Sequence, residues 1–147
     1  MSEPVSRLPS PVSRLPGWES RLAADLREAR TTPFAFGAHD CCLHAARALD
    51  LQHGLDLASD LRATYTDAAG ARRILRARYR GCAWGAPEKH GLQAVPVKLA
   101  QRGAIMGAKV GRRRALGVCF GVKSYFVGRA GLVTIPTLDC ERAWRLG

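Results

Sequence analysis

Phe34-Ala35-Phe36-Gly37-Ala38-His39-Asp40-Cys41-Cys42, running on into Leu43-His44-Ala45-Ala46, is the stretch whose reading decides the fold. Asp is a favoured helix N-cap because its carboxylate accepts from the unpaired N–H groups of the first turn. Asp40 therefore marks a helix start. From Cys41 to Gln52 the chain reads as a buried helix rich in Ala and Leu, closed by Gly54. A thiol in the first helical turn faces free N–H groups and the positive end of the helix dipole, which favours the thiolate. Asp40 is thus assigned to structure as a cap, and Cys41 is either a retained structural cysteine or a candidate nucleophile.

Upstream, Trp18, Leu22, Leu26 and Ala29 recur at helical spacing with charged residues between them, which predicts an amphipathic helix over residues 17–30. Thr31-Thr32-Pro33 ends it, since the residue before a proline is steered away from the helical region. Before it, Pro4-Val5-Ser6-Arg7-Leu8-Pro9-Ser10 is repeated as Pro11-Val12-Ser13-Arg14-Leu15-Pro16. So many prolines exclude helix and favour an extended segment, either an arm that docks on a neighbour or a loose leader. Downstream, Thr66 or Asp67 caps a predicted helix over residues 67–80 that places Arg72, Arg76 and Arg80 on one face and stops at Gly81. Residues 82–102 read as loop. Short apolar runs then follow at Ala104-Ile105-Met106, Leu116 to Phe120, Ser124 to Val127 and Leu132 to Ile135, punctuated by Gly111, Gly121, Gly128 and Gly131. Helices first and a meandering antiparallel sheet afterwards define an α+β arrangement. The organisation expected is a Pro-rich arm over residues 1–16 and one domain over residues 17–147.

The chain has 147 residues and a net charge of +11, which lies entirely in its second half. Residues 1–64 hold seven basic and eight acidic residues, whereas residues 65–147 hold sixteen and four. Such asymmetry fits either a polyanionic or acidic partner or an Arg-rich solvated surface. Arg112-Arg113-Arg114 reads as the tip of a turn after Gly111 and is the strongest candidate contact for a polyanion. The five cysteines form no disulfide framework and no C-x-x-C, so small apolar packing is expected for Cys82, Cys119 and Cys140. No run approaches the roughly 18 apolar residues of a membrane span. The first 16 residues lack an apolar stretch, so no secretory signal is read and folding in a cytoplasm is expected.

A helix, a loop, Asp-Cys opening a buried helix and a small antiparallel sheet follow the order of NlpC-type papain-like cysteine peptidases, and Asp40-Cys41 matches their motif. The chain resembles more closely a phage- and prophage-encoded family of unknown function that is itself similar to those peptidases. The elements carrying the likeness are Trp18, the stretch Phe34 to Cys41, Ala45-Ala46, Gly54-Leu55-Asp56, Leu61-Arg62-Ala63-Thr64-Tyr65, Arg102-Gly103, Leu116-Gly117-Val118, Gly131-Leu132-Val133 and Ala143-Trp144-Arg145. They span about residues 16–147. The resemblance implies N-terminal helices packed on a small antiparallel sheet, with Cys41 at the helix start. Two departures weigh against the chemistry. The peptidases carry Gly-Asp at the first strand, where this chain has Gly103-Ala104, and a histidine opening the next, where it has Ala115. No histidine occurs in residues 91–147.

A cysteine nucleophile needs a base to activate it and an acid to protonate the leaving amine. The remaining candidates are His44, one turn beyond Cys41, and His90, which follows Cys41 in the order the papain arrangement requires. His39, Cys41, Cys42 and His44 do not form a plausible metal cluster, because adjacent helical residues diverge, and no metal or cofactor is expected. The leading expectation is a structural component of a phage tail tip or baseplate, using a degenerate papain-like fold as an interaction module. It would sit in the virion tail after assembly in the host cytoplasm. Its partners would be other tail-tip or baseplate proteins met by Arg72, Arg76, Arg80 and Arg112 to Arg114, with peptidoglycan a further candidate. The alternative is a peptidoglycan-cleaving cysteine peptidase of the tail. A nucleic-acid-binding module ranks third, since the basic half has no interleaved aromatics and no known motif.

Overall fold

The computed structural model describes residues 13–146. Three helices come first: α1 (Trp18–Ala29), α2 (Cys41–His53) and α3 (Ala68–Tyr79). A single turn, α4 (Ala86–Lys89), leads into six strands: β1 (Gln93–Val95), β2 (Ile105–Val110), β3 (Arg113–Phe120), β4 (Lys123–Gly128), β5 (Gly131–Pro136) and β6 (Arg142–Arg145). The strands form one antiparallel sheet in the order β1-β6-β2-β3-β4-β5, so the protein is α+β. Its middle is a meander. Ile105 pairs with Val118 and Val110 with Arg113 across β2–β3, and β3–β4 and β4–β5 continue through tight connections.

Local chemistry explains the helices. The spacing of α1 buries Leu22, Leu26 and Ala29 on one stripe. Helix α2 is capped by Asp40 and ends on Gly54 in the left-handed region, and α3 is capped by Asp67, whose carboxylate accepts from the Gly70 N–H at 2.8 Å. Helix α2 lies on β3 and β4 and also touches α1. Leu22, Leu43, Leu49, Ile105, Leu116 and Trp144 form the core between helices and sheet, and Met106, Ala115, Cys119 and Phe126 belong to a second, smaller cluster. All five cysteines are free; Cys119 and Cys140 are buried, while Cys82 is half-buried.

Three expectations need correction. Residues 82–102 are not plain loop: they hold a 3₁₀ turn at Ala83–Gly85, α4, β1 and another 3₁₀ turn at Val97–Leu99. Only Arg112 stays in the β2–β3 turn, because Arg113 and Arg114 open β3 opposite Val110 and Lys109. The sheet is wider than the four apolar runs, since β1 and β6 complete it and Trp144 lies within β6. Of the Pro-rich arm, residues 1–12 lie outside the described residues. Its last part runs along the end of α2, where the Leu15 N–H donates to the Gln52 carbonyl at 2.6 Å and His53 Nδ1 donates to the Ser13 carbonyl at 2.9 Å. Among the described residues no helix is long and apolar enough to cross a membrane.

Gln52 joins these parts. Its side chain is fully buried, donates to the carbonyls of Ala48 at 3.1 Å and Gly103 at 3.0 Å, and accepts from Arg14 Nε at 3.0 Å. A buried polar group left without its partner costs about 1–3 kcal/mol. Gln52→Leu should therefore lower the unfolding free energy by roughly that amount, because the Gly103 carbonyl loses a buried donor. Leu99→Ser, at a position 63% exposed, should change it by less than about 0.5 kcal/mol. Urea titration of both variants beside the parent checks the contrast; equal midpoints would refute it.

Candidate functional site

Asp40 organises the site. Its Oδ1 accepts from the Leu43 N–H at 3.0 Å, and its Oδ2 accepts from the Gly37 N–H at 2.9 Å and the Tyr65 hydroxyl at 2.5 Å. The carboxylate thus ties the 34–39 loop, the start of α2 and the segment before α3 together while being itself buried. Gly37 is required here. It sits at φ +77°, and a Cβ on it would lie 2.0 Å from the Tyr65 carbonyl oxygen. Burial and the bond to Asp40 raise the pKa of the Tyr65 phenol, which stays a donor.

Directly beside this knot lies a groove of about 430 Å³. Cys41, Cys42 and Cys82 line it together with Phe34 and Phe36 from the loop and Ala71, Ile74 and Leu75 from α3. Arg72 comes to it from α3, and Arg112, Arg113 and Arg114 come from the β2–β3 hairpin. These four arginines are exposed, and Arg113 stacks over the Phe34 ring at 4.4 Å. Arg76, on α3, and Arg80, just past its end in the left-handed region at φ +57°, are exposed but do not line the groove, so the expected six-arginine face divides in two. Ala115, at the place where the resemblance puts a histidine, lines the same groove as Cys41.

The two adjacent thiols are polarised in opposite senses. Cys41 is half-buried, and its pKa is lowered by a hydrogen bond from the Cys42 thiol, aided by the Leu116 backbone N–H and the Arg113 charge, against its own desolvation. Cys42 is held protonated as the donor in that pair and by burial. Neither candidate imidazole bonds to the Cys41 sulfur. His44 is buried and donates through Nε2 to the Tyr125 carbonyl at 3.1 Å. Burial pushes its pKa down to about 4, with that carbonyl partly opposing. His90 is hydrogen-bonded through Nε2 to the Tyr79 hydroxyl at 2.8 Å. It lines a separate apolar cavity of about 40 Å³ that touches Cys42 and not Cys41.

The structure therefore gathers Asp40, Cys41, Arg72 and Arg112 to Arg114 around one groove and places His44, His90, Arg76 and Arg80 elsewhere. Phe34, Phe36, Tyr65 and Cys42 were visible in the sequence as parts of motifs, yet nothing in their spacing gave them a shared role at the groove. Among the described residues no group of three His, Cys, Asp or Glu side chains is arranged to hold a metal ion. A helix-start thiol above a cationic rim can bind anions and react with electrophiles.

An α+β domain whose groove opens at the start of its central helix is the class these features define. The profile of a family described as a domain of unknown function, DUF6950, matches residues 13–146, and the chain belongs to that family. No curated protein matches the chain closely enough to count as a relative.

Two measurements follow from the site. Folding keeps His44 neutral, with a value near 4 against the usual 6.5, so the unfolded chain binds the extra proton. Its contribution of up to about 3 kcal/mol is fully present above pH about 6.5 and is lost as the pH falls toward 4. His39, His53 and His90 are also lowered, first by burial, and act in the same direction. His44→Gln should flatten the fall in stability between pH 6.5 and 4, measured by urea unfolding at several pH values; an unchanged slope would contradict the assignment. Short iodoacetamide exposure near neutral pH should alkylate Cys41 before Cys119 or Cys140, as mapped by peptide mass spectrometry. Equal labelling of the three would remove Cys41 as the reactive thiol.

Proposed function

We propose that the chain is a structural component of a phage tail tip or baseplate, using a degenerate papain-like fold of the NlpC type as an interaction module. The observation that carries this reading is the composition of the groove: Cys41 lies in it without a hydrogen-bonded imidazole, Ala115 lines it where a base is expected, and four exposed arginines edge it. Peptide hydrolysis by a thiolate stalls unless a nearby acid protonates the leaving amine. Both imidazoles considered for that role are engaged with other partners. The framework of a papain-like site without its histidine suits binding in place of turnover.

A second reading, a peptidoglycan-cleaving cysteine peptidase of the tail, is favoured by one observation: Cys41 is a helix-start thiol with a lowered pKa in an open groove. One comparison separates the two. Mass spectrometry of purified particles should find the chain as a particle component, and the isolated protein should release no muropeptides beyond the level of its Cys41→Ser variant. Absence from particles, together with Cys41-dependent release of peptidoglycan fragments, would decide for the enzyme.

A further inference from the structure

We infer that the groove beside Cys41 is a docking site for an extended acidic peptide segment, one that alternates carboxylate and aliphatic side chains. This inference rests on the interaction-module reading and names the chemistry of the partner.

Charge complementarity is the first argument. Arg72 reaches the groove from α3 and Arg112, Arg113 and Arg114 reach it from the β2–β3 hairpin, so cations from two separate elements meet one cavity. Among the described residues none of these four is paired with a carboxylate, whereas Arg47, Arg62, Arg78 and Arg102 all are. Among the described residues the only carboxylate lining the groove, Asp40, is buried and already meets three donors. A ligand entering here meets unopposed positive charge. Arginine clusters of this kind read acidic motifs through charge-assisted hydrogen bonds.

The apolar lining narrows the choice. Ala71, Ile74 and Leu75 supply a wall that a free inorganic anion would leave uncovered, and about 430 Å³ accommodates a few residues of an extended chain. Nucleic acid fits less well. Single strands bind by stacking bases on open aromatic faces. Here Phe34 is covered by the Arg113 guanidinium at 4.4 Å and meets Phe36 edge-on at 4.7 Å, so the aromatic pair offers no open stacking platform. Carboxylates held by arginines, with an aliphatic side chain against α3, use both the cationic edge and the apolar wall of the groove.

Fluorescence polarisation with the full chain tests this. The probe is a fluorescein-labelled peptide alternating Glu and Leu; a Lys-Leu peptide and a length-matched oligothymidylate are the competitors. The Glu-Leu peptide should bind, should weaken as salt rises, and should lose at least about tenfold in affinity in the Arg72→Glu/Arg112→Glu variant. Lys98→Glu, at an exposed position outside the groove, should bind as the parent does. Circular dichroism melting of each variant separates lost binding from lost folding. Equal binding of the Lys-Leu peptide, full affinity in the double variant, or tighter binding of the oligothymidylate would each overturn the inference. Presence of the chain in particles alongside such a failure would spare the tail-tip reading and sink only the occupant. Peptide binding by a chain absent from particles would do the reverse.

Discussion

The buried carboxylate of Asp40 is the constraint on which the rest of the site depends. A carboxylate removed from water is costly unless its lone pairs are met, and hydrogen bonds to a charged group are worth about 1.5–3 kcal/mol each. Three donors from three separate segments meet this one: Leu43 inside the helix, Gly37 in the preceding loop and Tyr65 beyond the acidic turn. Because none of the three is satisfied elsewhere at comparable geometry, the loop, the helix start and the approach to α3 are set relative to one another by a single side chain. Phe34 and Phe36 stand at the groove because the loop that carries them is pinned at Gly37. Cys41 opens α2 beside the same pin.

The groove draws its chemistry from both halves of the chain. Cys41, Cys42, Phe34 and Phe36 come from the near-neutral first half, and the arginines from the second, where the charge excess is concentrated. The adjacent thiols divide their roles through one hydrogen bond, which makes Cys41 more acidic and Cys42 less so. The sheet contributes through the Leu116 N–H, which stabilises the Cys41 sulfur as an anion. Helix, sheet and hairpin thus converge on one small volume. Each adds positive potential there.

What was legible in the sequence was local. Asp40, Asp67 and Gly54 announce helix ends through their own chemistry, and the apolar stripe of α1 follows from its spacing. The strands of the meander were visible because they are apolar and bounded by glycine. Strands β1 and β6 were missed because they are only three and four residues long, and β1 is too exposed to show alternation. The arginine face over-reached for a geometric reason. A step of four residues turns a helix by about 40° beyond a full turn, which carries Arg76 round from Arg72, and Arg80 lies past the end of α3 in the left-handed region. The fate of His44 was not readable at all, since its partner Tyr125 is 81 residues away in the chain. Convergence of distant residues is a property of packing, and short-range pattern does not encode it.

The strand order has a consequence for how the protein comes into being. β6, the last strand, lies inside the sheet between β1 and β2, and β1 is held to the sheet by β6 alone. During synthesis the meander from β2 to β5 has all of its pairing partners within one continuous stretch. The segment carrying β1 emerges earlier yet has nowhere to dock. Its N–H and C=O groups, and one edge of β2, stay open until translation has passed Arg145. The sheet is therefore completed when β6 adds to the edge of β2 and brings β1 its partner, and the nascent chain exposes two unpaired edges until then. Those edges are the places where a chaperone or an unwanted neighbour would meet it first.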